Sequence, residues 1–221
     1  LYTLAILPVI GSDVDIPAPD IGTGEQTMAW MLRTATEAGR ADPAIVTGKP
    51  ILLGGSRFRS ASTGVGVAHL AHRAWEHVGH TINDARVAVE GFGAVGSWAA
   101  TELHDRGARI VAISDITGGI TNAGGLDVAE VRGWVADGNL LIDYPDAEPV
   151  DGSILVIDCD IALPAALEGT LTDAIATQVS ARLVVEGANG PTTPAAEQIL
   201  HDRNVAIVPD LVANGGGVIS S

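Results

Sequence analysis

Apolar positions recur along this chain in two rhythms. From Glu25 to about Ala38 they fall at i, i+3, i+4 and i+7, so Met28, Met31, Leu32 and Ala35 share one helical face and Gly39 is the stop. A second helix is predicted over Thr63–His77, with Val67, Leu70, Ala71 and Ala74 on one side. Beyond it, short β-branched runs alternate with helical patterns. Strands are predicted over Arg86–Val89, Arg109–Ser114, Ile154–Ile157, Leu183–Glu186 and Val205–Val208, and helices over Ala94–Arg106, Leu126–Ala136 and Thr193–Arg203. Strands separated by helices imply an α/β fold, a doubly wound and mostly parallel sheet with helices on both faces. Two stretches resist either rhythm. Gly11–Gly24 is interrupted by Pro17 and Pro19, and Ala41–Ser62 by Gly48, Pro50, Gly54 and Gly55. Leu1–Ile10 reads as a helix end or a strand, and no window reads as a membrane span.

The most informative junction follows the first β-branched run. Val87-Ala88-Val89-Glu90 enters Gly91-Phe92-Gly93-Ala94-Val95-Gly96, and an alanine-rich helical pattern leaves it. This is G-x-G-x-x-G between strand and helix, the context in which it marks a Rossmann-like dinucleotide site. Gly91 permits the tight turn, Gly93 lets backbone approach a pyrophosphate, and Gly96 lets helix and strand pack closely. Asp115 closes the next predicted strand, where an acidic side chain accepts from an adenosine ribose 2′-OH and favours NAD over NADP; alternatively it only opens the turn Asp-Ile-Thr-Gly-Gly. Polar–glycine clusters begin at Asp158, Glu186 and Pro209. Ligands bind beyond the carboxyl ends of such strands, so Asn189 and Asn214 are candidates for a nicotinamide carboxamide or ribose, or else ordinary Asn-Gly turns.

Composition narrows the function classes. The 221 residues are 47% hydrophobic, enough for one α/β domain and part of another. A net charge of −15 and 4% aromatics exclude both the basic footprint and the stacking platform of a nucleic-acid binder. Cys159 is the sole cysteine, so no internal disulfide forms; it reads as a small core residue in an apolar strand, and a cytoplasmic location fits. Lys49 is the only lysine beside eleven arginines, a composition suited to a salt-rich cytoplasm or arising from a GC-rich genome. His69 and His72 stand at i, i+3 without an evident third metal ligand and read as exposed helix residues.

Eight motifs, in order along the whole chain, carry a resemblance. They are Asp15-Ile-Pro-Ala-Pro-Asp-Ile-Gly-Thr, Thr47-Gly-Lys-Pro, Gly54-Gly-Ser, Ser62-Thr-Gly-Val-Gly-Val, the Gly91–Gly96 turn, Ser114-Asp, Glu186-Gly-Ala-Asn-Gly-Pro-Thr-Thr and Val212-Ala-Asn-Gly-Gly-Gly-Val. Together they resemble the glutamate dehydrogenases of the Glu/Leu/Phe/Val amino-acid dehydrogenase family. The resemblance implies reversible NAD(P)-dependent oxidative deamination of L-glutamate to 2-oxoglutarate and ammonia, in a homohexamer. Leucine, valine or phenylalanine dehydrogenase, or a non-catalytic dinucleotide-binding module, are the alternatives.

By the same resemblance Asp20 is the catalytic aspartate, a carboxylate that shuttles protons near neutral pH. Arg59 and Thr63 lie near the nicotinamide, Asn189 and Asn214 face the cofactor, Ser221 meets the substrate's side-chain carboxylate, and Lys49 has a structural or surface role. Ser62 and Val65 stand where the family usually has Ala and Arg. The family's catalytic and substrate-binding lysines have no counterpart here. The chain is therefore expected to be an inactive fragment beginning inside a longer protein. On this reading residues 1–50 are the end of a substrate domain with its connector, and residues 51–221 a Rossmann-like domain incomplete at its C-terminus.

Overall fold

The computed structural model describes residues 1–20 and 22–220 and divides the chain into two compact units, residues 1–60 with 218–221 and residues 61–217. In the first unit, helix α1 (Tyr2–Ile6) runs into a 3-10 turn at Leu7–Val9, resolving the ambiguity of that stretch towards helix. Helix α2 (Glu25–Glu37) buries Met28, Met31 and Ala35 with Ile10, Ile45 and Val46, while Leu32 is half-buried at the margin. It ends as expected: Ala38 is the C-cap, and Gly39 takes a positive φ of 86° that a side chain disfavours. Further on, Gly48 sits against Pro19, where a Cβ would come 2.5 Å from the ring, and the Thr47 amide donates to the Pro17 carbonyl at 3.0 Å. Thr-Gly-Lys-Pro thus backs the Pro-Ala-Pro-Asp stretch, and Lys49 Nζ donates to the Val46 carbonyl at 2.9 Å.

Helix α3 (Arg59–His77) starts four residues before the expected Thr63, because Arg59-Ser-Ala-Ser contains no breaker and the turn at Ser56 leads straight into it. The second unit holds a seven-stranded sheet: β1 (Arg86–Glu90), β2 (Arg109–Asp115), β3 (Gly118–Thr121), β4 (Glu148–Val150), β5 (Ile161–Pro164), β6 (Leu183–Val185) and β7 (Ala206–Val208), in the order β4-β3-β2-β1-β5-β6-β7. From β2 through β1, β5 and β6 to β7 all pairings are parallel, while β3 and β4 add antiparallel strands at one edge. Alternation along β1 sends Val87 and Val89 to one face and Ala88 to the other. The first face packs against α3, α4 (Gly96–Asp105) and α5 (Val128–Ala136). The second packs against α6 (Asp173–Ala176) and α7 (Pro194–Asp202). Short helices α8 (Asp210–Ala213) and α9 (Gly216–Ile219) follow β7. None of the described helices is long and apolar enough to cross a membrane.

One expected strand is corrected. Ile154–Val156 is a 3-10 turn, started by the Ser153 hydroxyl accepting from the Leu155 amide, with Ile154 and Leu155 buried under the sheet. The strand lies later, at Ile161–Pro164, because pairing with β1 begins at Asp160: its carboxylate accepts from the Arg86 amide at 2.8 Å, and its amide donates to the Arg86 carbonyl. A four-residue apolar run has the same periodicity whether it is strand or buried turn. Cys159 is accordingly not in a strand. It is a buried residue of the approach to β5, with its thiol pushed up to about 12, mainly by burial.

Two strands lay outside the expected set. Gly118–Thr121 is short and begins with two glycines, and Gly119 is obligatory because a Cβ there would come 2.6 Å from Ile154 Cγ2. Glu148–Val150 contains Pro149, tolerated because the strand is an edge.

Candidate functional site

The order of strands switches sides at β1: α4 leads to β2 on one side, and the later crossovers build β5, β6 and β7 on the other, all parallel to it. Such a switch point opens a crevice at the carboxyl ends of the strands, and the glycine turn stands in it. The fold requires two of the turn's three glycines and leaves the space at the third open. Gly91 has φ 93°, and a Cβ there would lie 2.8 Å from the Ala165–Ala166 backbone after β5. A Cβ on Gly96 would overlap the Gly91 carbonyl oxygen and come 3.1 Å from Val89 Cγ1. A Cβ on Gly93 would meet no atom within 4 Å. Phe92 anchors the turn, its ring buried in the core with 8% exposed.

The start of α4 faces outward. Val95 is its N-cap without a side-chain cap, and among the described residues the amides of Gly93, Ala94, Val95 and Gly96 donate to no protein acceptor. Unpartnered N–H groups at a helix N-terminus favour an anion. Geometry and chemistry therefore fit a pyrophosphate: a backbone free of Cβ at the point of approach, with donors at its edge.

Asp115 ends β2 beside this turn. Its Oδ1 accepts from the Thr117 amide at 2.7 Å and the Thr117 hydroxyl at 2.6 Å, so the turn-opening role is realised. Those bonds occupy one carboxylate oxygen and leave the other, Oδ2, without a protein donor among the described residues.

Past β6 and β7 two loops are tied together. Gly187 permits the approach of the β6 end to the β5 end, since a Cβ would come 2.8 Å from Ala165 Cβ. Asn214 Nδ2 donates to Asn189 Oδ1 at 2.7 Å. The pair then retains an amide donor on Asn189 and a carbonyl acceptor on Asn214, the complement of a primary carboxamide. The nearby Glu186 and Asp210 were not singled out from the sequence. Glu186 is only 8% exposed, and its Oε2 accepts from the Asp210 amide at 2.9 Å. Glu90 was also missed. It ends β1 immediately before Gly91, accepts from the Thr170 hydroxyl at 2.7 Å, and burial pushes its carboxyl above the ordinary range. An acid closing an apolar strand next to a glycine motif was the available signal.

Glycines also set the approach of α3 to this edge. A Cβ on Gly64 would overlap the Val95 carbonyl and come 2.6 Å from Trp98 Cβ, and Gly66 faces Gly216 with a Cβ-to-Cα separation of 3.3 Å. Thr63, half-buried one residue before Gly64, therefore lies where α3 meets the start of α4. Asp20 and Arg59 belong to the first unit. Asp20 is exposed, and its backbone is held by Thr23, whose hydroxyl accepts from the Asp20 amide at 2.6 Å and donates to its carbonyl at 2.8 Å. Ser221 lies outside the described residues. His69 is exposed; His72 Nε2 is 3.4 Å from Glu76 and Nδ1 is 3.3 Å from an Arg106 nitrogen. No group of three or more His, Cys, Asp or Glu among the described residues is arranged to hold a metal.

Comparison with known proteins adds a family. Residues 54–221 match the family described as Glutamate/Leucine/Phenylalanine/Valine dehydrogenase, and residues 1–37 match its dimerisation domain. Glutamate dehydrogenase A2 of Halobacterium salinarum is 47% identical over 223 residues, covering 100% of this chain and 53% of that protein. The NADP-specific glutamate dehydrogenase of Saccharolobus shibatae is 44% identical, covering 100% of this chain and 52% of that one. Among solved structures, hetero-hexameric glutamate dehydrogenase from Thermus thermophilus in a leucine-bound form superposes with a TM-score of 0.91 at 37% identity, covering 100% of this chain and 52% of its own. The chain spans about half the length of the curated relatives it matches. On the family match over most of its length, the chain belongs to the Glu/Leu/Phe/Val dehydrogenase family.

Proposed function

We propose that this chain is the nucleotide-binding part of a glutamate dehydrogenase, serving reversible oxidative deamination of L-glutamate to 2-oxoglutarate and ammonia. The observation that carries it is the glycine turn: two glycines that cannot bear a Cβ within the fold and one, Gly93, whose Cβ only a ligand would contest. A bound nicotinamide dinucleotide supplies the hydride acceptor and donor. The amides from Gly93 to Gly96 hold its pyrophosphate at the start of α4, with Phe92, Ala94 and Val95 setting the turn, and Asp115 accepts from the adenosine ribose. Asn189 and Asn214 present donor and acceptor to the carboxamide, with Thr63 and Arg59 at the nicotinamide side. Asp20 takes and returns the proton as carbinolamine and imine interconvert, and Ser221 contacts the substrate's distal carboxylate. Glutamate is favoured over leucine, valine or phenylalanine by the names of the relatives above.

NAD is favoured over NADP. An anionic Asp115 repels a 2′-phosphate, and the turn Asp115-Ile-Thr-Gly supplies no cation to offset it. The Saccharolobus relative, named NADP-specific, marks this as the point to measure. A homohexamer in the cytoplasm completes the reading. Supporting assembly are the match of residues 1–37 to a dimerisation domain and the exposed Tyr2, Leu4, Val9 and Trp30 there, and the hetero-hexameric Thermus structure supports the number six.

In the family that this chain resembles, lysines stabilise the charge that develops on the substrate, and they have no counterpart here. The only lysine, Lys49, is spent on the Val46 carbonyl. The 221-residue chain accordingly binds NADH but does not turn over. Equilibrium titration with NADH, followed by an ammonia- and 2-oxoglutarate-dependent NADH oxidation assay, tests both parts. Absence of nucleotide binding refutes the first; turnover comparable to that of a full-length relative refutes the second.

A further inference from the structure

We infer that Asp210 is a positioning residue for the nicotinamide end of the site, pinning the Asn189–Gly190 turn onto the start of α8 so that Asn189 and Asn214 act as one pair. The inference rests on the reading that this pair receives the carboxamide.

Asp210 uses every polar group it has. Its amide donates to Glu186 Oε2 at 2.9 Å, its Oδ2 accepts from the Gly190 amide at 2.8 Å, and its Oδ1 accepts from the Leu211 amide at 2.6 Å. Its carbonyl accepts from the Asn214 amide at 3.0 Å. Glu186 is itself tied to the sheet, its amide donating to the Val208 carbonyl at 3.1 Å. A continuous path of hydrogen bonds therefore runs from the ends of β6 and β7 through Asp210 to both asparagines.

Neither asparagine has another rigid support of this kind. Asn189 is exposed on a loop, followed by Gly190 in a left-handed conformation with φ 52°. Asn214 follows a helix of four residues, too short to hold itself. An N-terminal Asp that only capped α8 would bond amides within that helix. Asp210 does so with Oδ1, at Leu211, and with Oδ2 also reaches back 20 residues to the Gly190 amide, the residue next to Asn189. Its charge strengthens that bond, since hydrogen bonds to ionised acceptors are the stronger kind.

The test compares ligands that do and do not carry the nicotinamide. NADH and ADP-ribose, or NADPH and 2′-phospho-ADP-ribose if the parent chain prefers them, are titrated into the parent, Asp210→Ala and Asp210→Asn chains. The expected result is a loss of about tenfold in dinucleotide affinity for Asp210→Ala, equivalent to about 1.4 kcal/mol, with ADP-ribose affinity unchanged. Asp210→Asn retains one of two acceptors and loses less, and it carries the comparison if the alanine variant does not fold. NADH emission should shift towards that of the free nucleotide in both variants. A merely structural role would weaken both ligands together, and that result, or no change in either, overturns the positioning role alone. A parent chain that binds neither ligand overturns the site reading, and this inference with it.

Discussion

Replacing each glycine of the turn by alanine separates its folding role from its binding role. In Gly96→Ala the new Cβ overlaps the Gly91 carbonyl and sits 3.1 Å from Val89 Cγ1, and the first obstacle is backbone, not a side chain that can rotate away. Overpacking of this kind costs about 1–3 kcal/mol, more where backbone must move. Gly91→Ala adds strain at φ 93° to its clash with Ala165 and Ala166. Gly93→Ala differs: φ is not positive, no atom lies within 4 Å, and the smaller entropy of the unfolded chain gives between no change and a gain of about 1 kcal/mol. Yet that methyl group occupies the space through which the Gly93 and Ala94 amides approach an anion. Hydrogen bonds to a charged acceptor contribute about 1.5–3 kcal/mol each, so losing one reduces nucleotide affinity by about tenfold or more. Urea unfolding and NADH titration on the three variants read the two effects separately. A Gly93→Ala chain that is markedly less stable, or that binds NADH like the parent, refutes the reasoning, as does a Gly96→Ala chain of undiminished stability.

Three further substitutions follow from the same geometry. Asp115→Ser removes the anion at the ribose edge and is expected to shift the ratio of NADPH to NADH affinity towards NADPH by about tenfold; an unchanged ratio counts against a ribose role. Ionising Glu90 costs folded-state stability, since burial raises its folded-state pKa against the opposing hydrogen bond from Thr170. The folded chain holds its proton longer, so stability falls as pH rises from the unfolded to the folded value, and the cost persists above both. Glu90→Gln, which still accepts from Thr170, is expected to raise the melting temperature at pH 7 and to lose that advantage below about pH 4; a lower melting temperature at pH 7 contradicts it. Asp160 has the opposite sign. Burial alone would raise its carboxyl, but the Arg86 guanidinium and amide together outweigh that and hold it below the ordinary range, so it contributes stability above the usual carboxylate pKa and loses it in acid. Asp160→Ala, which leaves the Arg86 amide without its acceptor at the β1–β5 junction and the guanidinium with Asp158 alone, is expected to cost about 1–3 kcal/mol by urea unfolding at pH 7, with a smaller difference in acid.

Where packing follows a local rhythm, the fold was legible. Met28, Met31 and Ala35 are core because α2 turns them inward, and the β-branched runs at Val87, Ile110 and Leu183 are buried strands. The glycine turn was legible because its spacing is local, and at Gly91 and Gly96 a steric reason stands behind the glycine. Where structure depends on a distant partner, it was not. Gly118–Thr121 becomes a strand by folding back on β2 through the Asp115 turn, and Ile154–Val156 turns instead of extending because Ser153 caps it and pairing with β1 waits for Asp160. At the site, Asn189 and Asn214 stood out as Asn-Gly motifs, but the bond between them spans 25 residues. Glu186 and Asp210 did not stand out, because the bond that joins them spans 24 residues.

The central claim is that the turn at Gly91–Gly96 holds a dinucleotide in this chain. Calorimetric titration of the 221-residue chain with NADH, repeated in the presence of ADP-ribose and on Gly93→Ala, tests it most directly. Saturable one-to-one binding, displaced by ADP-ribose and weakened in the variant, is the predicted result. No binding, or binding indifferent to both, would contradict it.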